Sequence, residues 1–320
     1  MTVGRDCGRT DPAASVGLSM ASPDRPTLNA VTDALSASPP PPPLPAPVKA
    51  PGVLEALALL VLYFCLQLVI GFGSAFVAGI VLGARIGFAH AGAGPDGQTG
   101  KLLVSAMANP DVRTAVTAVT LLLAASITLW LAHRRWPHQW RLGQASRGFG
   151  FAPAASPAFY AAALALGVGV PVIGGLLTHW LAGDHPVTQA ISQMGRAASL
   201  SGRIALATLA VTLGPLVEET MFRGVLFSSL LGFRQRTSNR PGQSGTRVAL
   251  AMLLSASLFA MVHLPDLGWR WYALPNLAML GLGCAWLRLH SGSLWPSVLA
   301  HGINNALAVA GWFIVLHPGG

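Results

Sequence analysis

From residue 53 onward the chain is a succession of long apolar runs separated by short polar connections. A helix needs about 20 apolar residues to cross the hydrocarbon core of a bilayer, and about seven stretches reach that length: roughly 53–84, 112–132, 158–182, 203–231, 247–264, 271–289 and 294–316. The first is long enough for one tilted or protruding helix, so the reading allows six to eight spans. The predicted fold class is all-α, a polytopic transmembrane helical bundle. Residues 1–52 break the pattern. Ser, Pro, Ala and Asp dominate there, and Pro39 to Pro43 form an unbroken proline run. Such a segment cannot bury a core and is expected to be a disordered, partly polyproline linker on the cytoplasmic side.

Composition agrees with the pattern. Hydrophobic residues make up 52% of the 320, charged residues 10%, and mean hydropathy is +0.56, values of an integral membrane protein rather than a soluble domain. The first residues, MTVGRDCGRT, are polar and unlike a signal peptide, so the first span is expected to serve as anchor. Cys7, Cys65 and Cys284 are too few and too scattered for a disulfide framework or a cysteine metal site. No internal repeat is visible.

The net charge of +9 raises the question of nucleic acid, and the placement of the charge argues against it. Arg134, Arg135, Arg141 and Arg147 share one loop, and Arg234, Arg236, Arg240 and Arg247 share another. Seven spans put both loops on one side, together with Arg5, Arg9, Arg25, Lys49 and Arg288. This asymmetry predicts a multi-pass membrane protein with a cytoplasmic N-terminus and an outward C-terminus. Trp136 and Trp140 read as interfacial anchors, and the expected partner of the basic loops is the lipid bilayer. No basic groove interleaved with aromatics is present, so no nucleic-acid partner is expected.

Against so apolar a background, ionisable groups inside spans carry functional weight. The fourth span holds Glu218, Glu219 and Arg223. On a helix Glu219 and Arg223 lie four residues apart on one face, suited to an ion pair, whereas Glu218 points about 100° away. Glu218 is the free carboxylate of the two, and a carboxylate in a low-dielectric cavity is suited to act as a general base. The plainer reading, a buried ion pair that only fixes packing, leaves Glu218 without a purpose. The fifth span ends with Phe259 and His263 one turn apart, and the seventh places His301 and Asn305 on one face, with Asn304 one step round. Such His and Asn groups can bond helices together, bind a metal or stabilise an oxyanion.

The three patterns, Glu-Glu-x-x-x-Arg, Phe-x-x-x-His and His-x-x-x-Asn, occurring in that order on successive apolar segments, resemble the CAAX protease and bacteriocin-processing (CPBP) family of intramembrane proteases. The resemblance covers about residues 200–310 and sets residues 201–317 apart as a catalytic core behind the N-terminal helices of 53–200. It implies hydrolysis of a peptide bond in a membrane-associated protein or peptide by activated water. By that resemblance Glu218 activates the water, His263 assists, His301 and Asn305 stabilise the oxyanion, and Glu219, Arg223 and Phe259 support them. It leaves two versions open: one divalent metal, zinc foremost, on Glu218, His263 and His301, or a metal-free glutamate mechanism. Eukaryotic members of the family process prenylated proteins, and prokaryotic members include proteins linked to peptide processing and bacteriocin self-immunity. The absent targeting sequence and the abundance of Ala, Gly, Pro and Arg fit a multi-pass protein of a bacterial cell inner membrane, for which a prenylated substrate is not expected.

Other chemistries leave no trace. No His-Glu-x-x-His occurs, no Asp lies within a span, and no nucleophile loop surrounds Ser255, Ser257 or Ser297. A non-catalytic membrane protein of the same fold, serving self-immunity, partner binding or ion and proton transport, is the alternative. The glycines around Pro171 would then break the third span as transporters do, although paired broken helices in repeated halves are absent. Close helix packing explains these glycines, and the series Gly79, Gly83 and Gly87, more simply. The hydrolytic reading requires Glu218, His263, His301 and Asn305 to meet at one cavity. By the span boundaries His263 sits near a helix end and Glu218 near mid-membrane, so the loop 264–270 must dip inward or the spans be staggered.

Overall fold

A computed structural model describes residues 50–89, 98–141, 148–183, 185, 189–236 and 244–314. The proline-rich tail before residue 50, Cys7, Arg147 and Arg240 lie outside the described residues. Among the described residues the chain is helical throughout, without a strand. Five helical stretches are long and apolar enough to cross a membrane: Val53–Ala89, Pro110–Arg135, Ala158–Ala182, Leu200–Gly232 and Gly245–Val262. The protein is thus an all-α, multi-pass membrane bundle. Exposed aromatics such as Phe72, 74% exposed, face outward where lipid rather than water is the solvent.

The first span is one continuous helix, α1 (Val53–Ala89). Its first turn is fixed by Glu55, which accepts the Gly52 amide at 3.0 Å and pairs with Arg135 at the end of the second long helix. A short helix that the apolar pattern did not suggest, α2 (Gln98–Ala108), precedes α3 (Pro110–Arg135). Asn109 caps α3 through the Asp111 amide at 2.8 Å, and Pro110 occupies the first turn, where its missing N–H costs nothing.

The third predicted span is α4 (Ala158–Ala182), and Pro171 sits inside it without interrupting it. Gly167 and Gly174 lie seven residues apart on one face of α4. A Cβ on Gly167 would strike Ile303 and the Ala300 carbonyl, and one on Gly174 would strike Asn276. These glycines therefore let two neighbouring helices approach the backbone of α4. The series on α1 behaves differently: Gly79 and Gly87 have no neighbour within 4 Å, and Gly83 meets only Leu103 at 3.7 Å. The close packing expected there is absent among the described residues.

The fourth span is not one regular helix. Preceded by the short helix α5 (Ala190–Ala197), it comprises α6 (Leu200–Val211), α7 (Leu213–Glu219), a π-helical segment Thr220–Leu226 and the start of α8 (Phe227–Arg236). Pro215 has no N–H to give the Val211 carbonyl, and the helix breaks at Thr212. Then follow α9 (Ser244–Val262), α10 (Leu274–Ser291) and α11 (Trp295–Ala310). The last two coincide with the sixth and seventh predicted spans but have only 18 and 16 residues. They are short because they pack inside the bundle, α10 against α4 and α9 and α11 against α4, and need not match the full lipid thickness.

Two surface roles predicted from sequence are replaced by interior ones. Trp136 is buried, and it and Trp140 meet Phe149 edge to face while Trp140 stacks on Phe151 at 4.7 Å, so they form an aromatic cluster rather than interfacial anchors. Arg288 is buried as well and donates from Nη2 to the Gly148 carbonyl at 2.7 Å, tying the loop before α4 to α10. The largest apolar core, including Val217, Phe222, Phe259, Leu280 and Ala300, lies directly around the fourth-span glutamates.

Candidate active site

Glu219 and Arg223 form the expected ion pair, with Arg223 Nη1 donating to Glu219 Oε1 at 2.8 Å and both side chains fully buried. The pair spans the start of the π-helical segment, a widening that often marks functional sites. Arg223 Nη2 donates to the Gly281 carbonyl at 2.9 Å, and its guanidinium lies 4.5 Å from the centre of the Phe259 ring. A buried charge is tolerable only when paired and hydrogen-bonded, and these contacts supply that. Gly281 is required for a second reason: a Cβ there would lie 2.9 Å from Ala256 Cα, so α9 and α10 meet at backbone distance.

The same Glu219 oxygen takes a second partner. His301 Nδ1 lies 3.0 Å from Oε1, and because an ionised carboxylate can only accept, Nδ1 carries the proton. His263 follows the same logic: its Nδ1 donates to the Phe259 carbonyl one turn back at 2.7 Å. Both imidazoles thereby direct Nε2 towards Glu218, at 3.6 Å from Oε2 for His263 and 3.9 Å for His301. Phe259 holds the arrangement together, with its ring 4.8 Å from that of His263 and 5.5 Å, edge to face, from that of His301.

Glu218 itself is 22% exposed, and its Oε2 is buried without a hydrogen-bond partner. Glu218, His263, His301 and Asn305 all line one cavity of about 1440 Å³. The convergence demanded by the hydrolytic reading is met, and the short core helices explain how. At 1.5 Å per residue α11 is about 24 Å long, which leaves little vertical distance between its middle and the end of α9. The loop after α9 also folds back: Asp266 O accepts the Ala190 amide at 3.2 Å, drawing 263–270 onto α5 at the cavity wall. Burial pushes the Asp266 carboxyl up from the ordinary aspartate value, while the charge of His263 and the Ile191 and Ala190 amides pull it down less strongly.

Asn305 lines the cavity and also bonds across helices. Its Nδ2 donates to the Ala210 carbonyl at 2.8 Å, and its Oδ1 accepts from Asn304 at 3.3 Å. Ala210 precedes the break that Pro215 makes in the fourth span, and Gly302 permits the approach, since a Cβ there would lie 2.8 Å from the Val211 carbonyl. Asn305 thus sits at the cavity wall but bonds α11 to α6.

The donor chemistry of two imidazole nitrogens and a carboxylate oxygen suits a divalent cation, and each imidazole has an acceptor behind it, as metal-binding histidines do. In their present spacing, however, no group of three or more His, Cys, Asp or Glu side chains among the described residues is arranged to hold one. Sequence reasoning missed Gly281, Ala210 and Asp266, because a backbone carbonyl or a loop contact has no motif to announce it. It also missed Tyr63 of α1, which lines the same cavity.

Residues 200–307 match the family described as type II CAAX prenyl endopeptidase Rce1-like. That segment contains all seven residues of the three motifs, and the resemblance noted from them is thereby shown for this part of the chain. No curated protein and no solved structure matches the chain.

Proposed function

We propose that the protein is an intramembrane endopeptidase that hydrolyses a peptide bond of a membrane-associated protein or peptide. The observation that carries this reading is Glu218 Oε2, a buried carboxylate oxygen without a partner, faced by the Nε2 atoms of His263 and His301. A water hydrogen-bonded to that oxygen would lie beside both nitrogens. Glu218 takes its proton as the water oxygen attacks the substrate carbonyl carbon, and returns the proton to the amine nitrogen as the C–N bond breaks. The role of Glu219 is to hold His301, with Arg223 neutralising its charge. The match of residues 200–307 supports the protease class, and the helical bundle supports a substrate that arrives from the bilayer.

If a divalent cation takes part, Glu218, His263 and His301 are the residues that would hold it, and it would supply Lewis-acid activation of the water. No step above depends on it. The test is cleavage of an internally quenched, lipid-anchored peptide library by purified protein in detergent, with wild type beside Glu218→Ala, in the presence and absence of a chelator. Cleavage that Glu218→Ala abolishes upholds the proposal; undiminished cleavage by that variant defeats it. Loss on chelation with recovery on zinc selects the metal version, and full activity in chelator selects the carboxylate version. Absence of cleavage across the library favours a binding or immunity role.

A further inference from the structure

The cavity has a closed end and an open one. Its floor is formed by Ala125, Val217, Phe222 and Leu280, each at most 2% exposed. The aromatic cluster packs beneath that floor: a Cβ on Gly224, next but one to Phe222, would meet Phe149 Cβ at 3.3 Å. Three further bonds tie this end shut. Trp295 Nε1 donates to the Phe151 carbonyl at 2.9 Å, the Ser293 hydroxyl to the Ala152 carbonyl at 2.6 Å, and Arg288 to the Gly148 carbonyl. Among the described residues, none from 136–157 or 288–295 lines the cavity.

The opposite end is built from other connections. Asp266 O accepts the Ala190 amide at 3.2 Å, and Arg203 Nη1 donates to Trp312 O at 2.8 Å. The segments around α5, after α9 and after α11 therefore form one rim. His185, Arg196 and Trp269 line the cavity from this rim and are exposed, Trp269 at 71%. Glu218 lies between floor and rim in exposure, at 22%, so a substrate reaches it from the rim.

Charge labels the two ends. At the closed end Glu55 of α1 meets Arg135 at the end of α3, with Arg134 and Arg141 beside it in sequence. α8 continues the fourth span away from the rim and α9 runs back towards it, which places Arg234, Arg236 and Arg247 at the closed end as well. The other side carries fewer basic residues: Arg85, Lys101, Arg113, Arg196, Arg203 and Arg270. The more basic side of a multi-pass protein stays in the cytoplasm.

We infer that the active-site cavity opens on the outward face of the membrane, so that its substrate is a polypeptide segment already carried across. The substrate part of this inference rests on the peptidase reading, and the opening does not. A peptide bond on the cytoplasmic side meets the closed floor and a hydrocarbon layer that bare backbone does not cross unaided. The reaction that must supply the substrate is therefore translocation or membrane insertion of a chain. Cytosolic proteins held to the inner leaflet by a C-terminal lipid are excluded.

Two measurements on the full chain test it. Arg196→Cys at the rim and His138→Cys at the closed end, both exposed positions, are placed in protein whose own cysteines are replaced by Ala. In intact bacterial cells a membrane-impermeant maleimide should modify Arg196→Cys and leave His138→Cys untouched, and after permeabilisation both should react. Labelling of His138→Cys in intact cells, or none of Arg196→Cys, overturns the proposed opening. For the substrate, the sequence that purified wild type cleaves fastest is set beside a single membrane anchor in two reporters, on the outward side in one and on the cytoplasmic side in the other. Wild type should cut the outward reporter and leave the cytoplasmic one intact, and Glu218→Ala should cut neither. Cleavage of the cytoplasmic reporter, alone or as fast as the outward one, overturns the substrate assignment, as does failure to cut either. Failure of the peptidase reading shows separately: purified protein then cleaves no peptide, or Glu218→Ala cleaves as well as wild type. The substrate assignment falls with it, and the labelling still decides the opening.

Discussion

His301 donates Nδ1–H to the Glu219 carboxylate oxygen 3.0 Å away, the same oxygen that Arg223 holds at 2.8 Å. The contact joins what looks like a structural ion pair to the candidate reacting groups, because it decides which face of the imidazole meets Glu218. The two adjacent glutamates consequently have separable roles, and substitutions should divide them.

Glu218→Gln should abolish cleavage and change stability little, since its Oε2 makes no hydrogen bond that the substitution could remove. Glu219→Gln should do both kinds of damage. It leaves Arg223 buried without a counter-charge, a change that typically costs about 3–5 kcal/mol, and it weakens the hold on His301. Thermal unfolding in detergent beside a cleavage assay separates the two outcomes.

Arg223→Lys should fail to restore wild-type behaviour. A single ammonium cannot serve Glu219 and Gly281 in the fixed fork that the guanidinium offers, nor lie flat against Phe259. A loss of roughly 1.5–3 kcal/mol is expected, the worth of one charge-assisted hydrogen bond. A lysine variant as stable as wild type would contradict this account.

Gly281→Ala should lower the melting temperature although it adds only one methyl group. The new Cβ would meet Ala256 Cα at 2.9 Å, forcing α9 and α10 apart and shifting the carbonyl that Arg223 uses. Overpacking of this kind costs about 1–3 kcal/mol. Gly79→Ala, where nothing lies within 4 Å, is the matched control and should be close to neutral.

Arg203→Ala should loosen the cavity wall at α5. Arg203 donates to the carbonyls of Gly195, Arg196, Ala198 and Trp312, joining α5 and the start of α6 to the chain beyond α11. Proteolysis or hydrogen exchange localised to residues 190–200 should increase in the variant. Protection unchanged there would show that other contacts hold α5.

Asp266 gives a pH signature. Burial raises its carboxyl above the ordinary value of 3.8, so the folded state binds that proton more tightly than the unfolded chain does. Its contribution to stability is complete below pH 3.8 and is lost as pH rises through the elevated folded value. Asp266→Asn should therefore show a smaller decline in melting temperature than wild type as pH is raised across that window. Parallel curves would refute the assignment.

Much of the molecule is legible without coordinates. Membrane spans are visible because a bilayer forces apolar runs of a set length, and Glu218, Glu219, Arg223, Phe259, His263, His301 and Asn305 stand out because polar groups inside such runs are costly unless used. The helical spacing alone separated Glu219, paired with Arg223, from Glu218. What helical periodicity could not supply was the break at Thr212 and the π-helical turn after Glu219, nor the engagement of Asn305 by Ala210. It could not assign Tyr63 to the cavity, since one tyrosine in an apolar helix carries no local signal. Residue type and spacing determined which groups have chemistry to offer. Only the tertiary structure decided which way each proton points, because that depends on acceptors such as the Phe259 carbonyl and the Glu219 carboxylate, brought into place by packing rather than by sequence order.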